Sequence, residues 1–384
     1  MPETIYLDNS ATTPVASEVL AAMAPYHATD FGNASSLHEA GRRARKAVDD
    51  SRSTLADLLS VEPGEVVFTS CATEASNLAL VGTALASTDR CHIVTSAIEH
   101  HAVLHTAQWL ESRGHELTIL GVDETGRIDL DELREVIRPN TLLVSIMAGN
   151  NEIGTLQPVA EIGAICRERG VLFHTDAVQA FGKVPLPIDV IDLLSVSAHK
   201  LHGPKGVGFL FARKGVKLTP ILHGGGHERN RRSGTENVPG IVGMAEAARI
   251  AFAEHDRTTA RMRGFRQRLI DEVRKIPATR LNGHPTESLP HIVNVSFEAI
   301  EGESLIMRLD ERGIAASTGS ACSSPNLEAS HVLLAIGVPL AMAHGSLRIS
   351  TGRQTTKRDI DALLDALPDV VGALRAMSPF KVGG

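Results

Sequence analysis

Asp192-Leu193-Leu194-Ser195-Val196-Ser197-Ala198-His199-Lys200 is an apolar run that ends abruptly in Ser, His and Lys, just ahead of Gly203-Pro204-Lys205-Gly206. The pattern reads as a buried strand that delivers an amine to a polar crevice. A lysine taken out of bulk water loses part of its proton affinity and becomes able to form a Schiff base with an aldehyde. Upstream, Val171-Leu172-Phe173-His174-Thr175-Asp176-Ala177-Val178-Gln179 carries a second apolar run to a carboxylate. An acid at one strand end and an amine at the end of the next is the pairing that pyridoxal phosphate requires, because the acid keeps the pyridine nitrogen protonated so that the ring can accept electrons. Taken singly, Lys200 and Asp176 would each pass for a solvated strand end; the shared setting gives the pair its meaning.

Working outward, short apolar runs at 66–69, 92–95, 142–146, 171–173, 193–196 and 207–211 alternate with longer helical patterns between about residues 50 and 255. That alternation is the signature of an α/β layer structure with a mostly parallel sheet. Ligands of such sheets bind beyond the carboxyl ends of the strands, where Thr73, His100, Asn151, Asp176 and Lys200 all fall. A long charged amphipathic helix is expected from Ala245 to about Ile276, followed by a strand at 291–297 and a final helix at 357–375.

At 384 residues the chain exceeds the usual single-core limit, so two domains are expected, and 43% hydrophobic residues supply their cores. A net charge of -7 argues against a nucleic-acid surface. The basic cluster Arg42-Arg43-Ala44-Arg45-Lys46 fits one solvated helix face. The first residues lack a basic region leading into an apolar stretch, and no run approaches membrane-spanning length. A soluble, cytoplasmic protein with no membrane partner is therefore expected. Four cysteines, Cys71, Cys91, Cys166 and Cys322, form no C-x-x-C pair, and free thiols in a reducing compartment are expected. His223 and His227 flank three consecutive glycines, which disfavour the helix that would align two imidazoles, so no metal site is assigned there.

Further candidates follow from local chemistry. A helix beginning near Ala72 would offer unpaired amides to a phosphate, with Thr73 adding a hydroxyl; an ordinary first-turn threonine is the competing reading. His100 opens a helix at 102–112 and could lay its ring over a planar ligand, with His101 as the competing choice. The segment Ser317-Thr318-Gly319-Ser320-Ala321-Cys322-Ser323-Ser324-Pro325-Asn326 is small, polar and poor in helix formers, which marks Cys322 as an exposed, reactive thiol where Cys91 and Cys166 read as buried ones. Arg348, on the apparent strand 345–350, could grip a carboxylate with its guanidinium fork or sit in a surface ion pair.

These residues resemble the cysteine desulfurases of the NifS and IscS type, within the class V aminotransferase group of fold-type I pyridoxal phosphate enzymes. The likeness is carried by Tyr6-Leu7-Asp8-Asn9-Ser10-Ala11-Thr12-Thr13-Pro14, Phe31-Gly32-Asn33, Ala72-Thr73-Glu74, Glu99-His100, Asn150-Asn151-Glu152-Ile153-Gly154, the Asp176 and Lys200 runs, Arg232-Ser233-Gly234-Thr235 and Gly319-Ser320-Ala321-Cys322. The resemblance implies an α/β/α large domain with a mostly parallel mixed sheet at 15–255, and a smaller α/β domain formed by 1–14 and 256–384 that carries the cysteine loop. It implies pyridoxal 5'-phosphate held by Ala72, Thr73, His100, Asn151, Asp176, Gln179, Ser197, His199, Lys200 and Thr235, with Thr235 reaching the phosphate of a neighbouring subunit and so requiring a homodimer. Catalysis would rest on Lys200, Cys322 and His100, and substrate binding on Asn33, Asn151 and Arg348. The implied reaction converts L-cysteine to L-alanine and leaves sulfur on Cys322 as a persulfide. An iron–sulfur scaffold protein or another sulfur acceptor would collect it, and Cys322 can contribute a ligand to a transient iron–sulfur cluster. A selenocysteine lyase or a small amino-acid aminotransferase of the same group is the alternative. Cys71 departs from the family's usual glycine, as do Ala148-Gly149 and Ala329 from its commoner residues.

Overall fold

The computed structural model describes residues 4–318 and 329–379. Twelve strands occur among them: β1 (Ile5–Tyr6), β2 (Val66–Thr69), β3 (His92–Ser96), β4 (Glu116–Leu120), β5 (Thr141–Ser145), β6 (Leu172–Asp176), β7 (Leu193–Ser197), β8 (Gly208–Ala212), β9 (Thr279–Asn282), β10 (Ile292–Phe297), β11 (Ile314–Ala315) and β12 (Ser346–Ser350). Seven of them form one sheet in the order β2-β8-β7-β6-β5-β3-β4. All its pairings are parallel except the two made by β8, so the sheet is mixed but mostly parallel.

Strands buried on both faces explain the near-continuous apolar runs. Successive residues alternate between two layers: Val66, Phe68, Leu194, Val196, Phe209 and Phe211 pack into one core, while Val67, Leu193, Leu210 and Ala212 pack into the other. The first core takes in helices Glu39–Leu59, Val159–Arg169 and Val238–Ala253; the second takes in Ala72–Ala86 and His101–Ser112. The result is the α/β/α sandwich expected from the sequence. The half-exposed edge strand β4, with mixed polarity, has no comparable sequence signal.

A separate core joins Leu7 to Leu269, Val293, Val295, Leu347, Ile349 and the helix Lys357–Met377. Above it lie the antiparallel sheet β12-β10-β9 and the parallel pair β1-β11. The single helix expected from Ala245 to Ile276 is instead two, Val238–Ala253 and His255–Val273. The junction is Glu254, which leaves helical geometry at φ -100 and ψ 6 and binds Arg353 at 2.9 Å. Anchoring that carboxylate across to Arg353 favours the break over a continuous rod.

Candidate active site

Register sets the site. Asp176, the last residue of β6, lies opposite Ser195 in β7, so the carboxylate and the end of the strand that leads to Lys200 emerge at the same sheet edge. Beyond Ser197 the chain makes one 3₁₀ turn, Ala198–Lys200, which lifts His199 and Lys200 off the strand. The turn from β2 into the helix Ala72–Ala86 comes close because β8 carries Gly208 there: a Cβ at that position would lie 2.5 Å from Val196 O and 2.9 Å from Cys71 C.

An open cleft of about 320 Å³ collects these ends. Ala72, Thr73, His100, Asn151, Asp176, Gln179, Ser197, His199, Lys200 and Arg348 all line it. Two of the expected residues lie elsewhere. Thr235 is exposed and lines an adjoining pocket with Ser70. Asn33 is exposed, and its side chain accepts from Ser35 N at 2.8 Å. Cys322 lies outside the described residues. The described chain on either side of it borders the cleft: Ser317 bridges to Arg348, and His331 lines the wall.

Each side chain has a definite state. Lys200 Nζ donates to the carbonyls of Ser10 at 2.6 Å and Ala11 at 2.7 Å. Burial pushes the Asp176 carboxyl up to about 6, opposed by the Val178 amide, which donates to Oδ1 at 2.9 Å, and by the charge of Lys200. A cationic ring nitrogen beside it would add to those two effects and favour the carboxylate. His100 caps the helix His101–Ser112, its Nδ1 accepting from Ala102 N at 3.1 Å, which leaves the proton on Nε2. Burial, then the charges of Lys200, His331 and His105, hold that imidazole down to about 4, so it is neutral at physiological pH. Burial and Lys200 likewise hold His199 at about 4. Arg348 is buried and donates from one nitrogen to Asp8 at 2.8 Å and from another to Asn151 O at 3.0 Å, while its Nε has no described partner.

The chemistry of this set fits a phosphorylated pyridine aldehyde. Ser197 Oγ is buried without a hydrogen-bond partner among the described residues, and it stands in the cleft with the helix N-terminus at Ala72 and Thr73. A phosphate group would satisfy that hydroxyl and the unpaired amides together. The amine and the buried carboxylate sit where an aldehyde and a ring nitrogen would be met.

A family model described as "Aminotransferase class-V" matches residues 5–363. The chain belongs to the class-V aminotransferase family. This class-V chain is 54% identical over 378 residues to "Cysteine desulfurase IscS" of Methanosarcina thermophila, covering 98% of this chain and 94% of the relative. It is 48% identical to "Cysteine desulfurase IscS" of Dictyoglomus turgidum, covering 99% and 98%. Among solved structures, a "NIFS-LIKE PROTEIN" superposes with a TM-score of 0.91 at 39% identity, over 97% of this chain and all (100%) of that one. A second, "SspA in complex with cysteine", gives 0.80 at 38% identity, over 90% and 98%.

Several residues of the class-V chain in or beside the cleft had no role assigned from sequence. Ser10 and Ala11 contribute main-chain carbonyls, which no side-chain pattern announces. Asp8 is the partner of Arg348, 340 positions away. Glu152 is buried, raised to about 7 by burial, and accepts from Ser330 Oγ at 2.6 Å. His331 Nε2 meets Glu99 O at 3.0 Å, and its ring stacks on His101 at 4.8 Å.

Proposed function

We propose that this protein is a cysteine desulfurase: L-cysteine becomes L-alanine, and the sulfur atom passes to the thiol of Cys322 as a persulfide. One observation carries the reading. The described chain on the two sides of residues 319–328 meets the walls of the Lys200 cleft: Ser317 bridges to Arg348, Ser330 bonds Glu152, and His331 lines the cleft itself. The relatives named cysteine desulfurase support the same reaction.

Bound pyridoxal 5'-phosphate would supply an aldehyde for Lys200 and a ring that takes up the electrons left when the substrate's α-proton departs. Ala72, Thr73, Ser197 and His199 would hold its phosphate, with Thr235 of a second copy completing the site in a homodimer. Asp176 would keep the ring nitrogen protonated, and Gln179 and His100, which line the same cleft, would help to hold the ring. Arg348 and Asn151 orient the substrate carboxylate, assisted by Asn33. The freed Lys200 amine takes the α-proton and returns it. His100, neutral with its proton on Nε2, would donate that N–H to sulfur at the reacting centre, and Cys322 sulfur would bond to the substrate sulfur as the carbon–sulfur bond breaks. Atoms balance, since one cysteine and one thiol give one alanine and one persulfide.

Part of the same proposal is the division into a large unit at 15–255 and a smaller one at 1–14 and 256–384. No described helix is long and apolar enough to cross a membrane, which accords with a cytoplasmic enzyme that hands sulfur to an iron–sulfur scaffold protein or a similar acceptor. The test is to incubate cofactor-loaded protein with L-cysteine and a reductant and to measure L-alanine and sulfide together. Equal amounts from the wild type and little of either from Cys322→Ser are expected; alanine without dependence on Cys322 would refute the sulfur route.

A further inference from the structure

A second cavity lies behind Lys200. It is small, about 50 Å³, and among the described residues Lys200 is the one it shares with the cleft. Apolar side chains such as Val19 and Ile250 form one wall; the other carries Lys183, His291 and Thr351. Three buried polar atoms there have no hydrogen-bond partner among the described residues: Lys183 Nζ, His291 Nδ1 and Thr351 Oγ1. A buried amine without a partner is costly, and such sites tend to be functional.

The cavity is connected to the cleft through hydrogen bonds. Gln179 Nε2 donates to Ser10 O at 2.9 Å, the same carbonyl that receives Lys200 Nζ at 2.6 Å. Gln179 Oε1 therefore accepts from His291 Nε2 at 3.1 Å, which leaves Nδ1 of that ring without a proton. Burial, then the charges of Lys183, Arg348 and Lys200, hold His291 far below its ordinary range, so it stays neutral. The ionisable groups that share the cavity with Lys183 are Lys200, His202, Glu254, His291 and Arg353. Glu254, the one carboxylate among them, is engaged by Arg353 at 2.9 Å, and burial holds His202 at about 4. Burial and the charge of Lys200 bring Lys183 down to about 7. The charge it carries near neutrality opposes that of Lys200 across the cavity, while Asp176 faces Lys200 from the cleft.

We propose that Lys183 is a positioning residue for Lys200: from the rear cavity its amine supplies a titratable positive charge that lowers the proton affinity of the Lys200 nitrogen, while His291 and Gln179 hold the Ser10 carbonyl that receives Lys200. This rests on the reading of Lys200 as the point of cofactor attachment. The benefit is chemical, because an amine that is to take an α-proton must be released neutral, and a neighbouring cation favours that form.

The test follows the visible absorption band of the lysine-linked cofactor against pH in wild type, Lys183→Met, Lys183→Gln and Lys183→Arg. Removing the charge is expected to raise the titration midpoint by on the order of one pH unit in the Met and Gln variants, the size typical of a like charge acting through the protein interior. Lys183→Arg, permanently charged, is expected to leave the midpoint at or below that of the wild type. A role in packing alone would move all three variants in one direction, which overturns the proposal. So does an unmoved midpoint in Lys183→Met and Lys183→Gln with the band intact, and so does a raised midpoint in Lys183→Arg should the other two fail to fold. A wild type without any band sinks the cofactor reading and this inference together, and is thereby distinguished from the other results.

Discussion

The carbonyl oxygen of Ser10 receives the Lys200 amine at 2.6 Å. Ala11 O receives the same amine at 2.7 Å, so the N-terminal segment, far away in sequence, holds the group that defines the cleft. Two accepting carbonyls fix the amine's position without cancelling its charge.

That placement yields a direct expectation for attachment. Borohydride reduction of the loaded protein, followed by peptide mass analysis, is expected to find the cofactor on the peptide containing Lys200. Lys200→Arg is expected to give no trapped peptide and a turnover lower by at least about a hundredfold, as for the loss of a general acid–base group. Cofactor trapped on Lys183 or Lys205 instead would move the site.

Arg348 carries the second prediction. Its guanidinium already bonds Asp8 and Asn151 O and leaves Nε without a partner among the described residues, in a strand where only 3% of the residue is exposed. Lys at this position retains the charge but not the planar fork. Arg348→Lys is therefore expected to lower kcat/KM for L-cysteine by about tenfold to a hundredfold, mainly through KM. A change confined to kcat would remove Arg348 from substrate binding.

Much of this was readable in the chain, and the reasons are physical. Strands buried on both faces write themselves as apolar runs, and the polar residue that ends each run marks the cleft edge, which is how Asp176 and Lys200 stand out. The break at Glu254 was hidden because the helical periodicity continues across it, and the distant Arg353 that anchors its carboxylate leaves no local pattern. Ser10 acts through its main chain, and Asp8 through a partner 340 residues on, so neither leaves a local pattern. Glu152 stood inside a recognised motif, yet its link to Ser330 is visible only in three dimensions.

Ser330 is the third test. Its hydroxyl donates to Glu152 at 2.6 Å and accepts from Leu333 N at 3.2 Å, so it both caps the helix His331–Ala335 and ties that helix to the cleft wall. Ser330→Ala is expected to cost about 1–2 kcal/mol in chemical denaturation from the lost cap and the buried bond. Persulfide formation on Cys322 should slow, while the visible spectrum of the loaded protein stays unchanged. An altered spectrum with normal persulfide formation would mean that Ser330 acts on the cofactor and not on the chain that leads to Cys322.

Buried titrating groups set the last prediction, the pH dependence of the cofactor-free protein. Burial holds His100, His199 and His202 at about 4 and His174 at about 3. His174 sits between Ser145 Oγ at 2.7 Å and Ser195 Oγ at 2.9 Å. In the unfolded chain each of these rings takes a proton near pH 6.5, and in the folded chain it does not. Their contribution is therefore complete above about pH 6.5 and is lost as pH falls from there toward 4. Glu99, Glu152 and Asp176 act in the opposite sense, since burial raises them to about 8, 7 and 6 and the folded state keeps protons that the unfolded chain releases above about 4.5. Four histidines and the equally neutral His291 outweigh three acids between about pH 4.5 and 6.5. Above that window the histidines are silent: Glu152 and Glu99 then subtract stability, until Lys183, lowered to about 7, offsets Glu99. The unfolding temperature is expected to climb from pH 4.5 to a maximum near 6.5 and then level off or decline. His174→Gln, which can still bond both serines, is expected to flatten the acid limb of the curve. A melting temperature that stays constant between pH 5 and 6.5 would mean that these histidines are protonated, and solvated, in the folded protein.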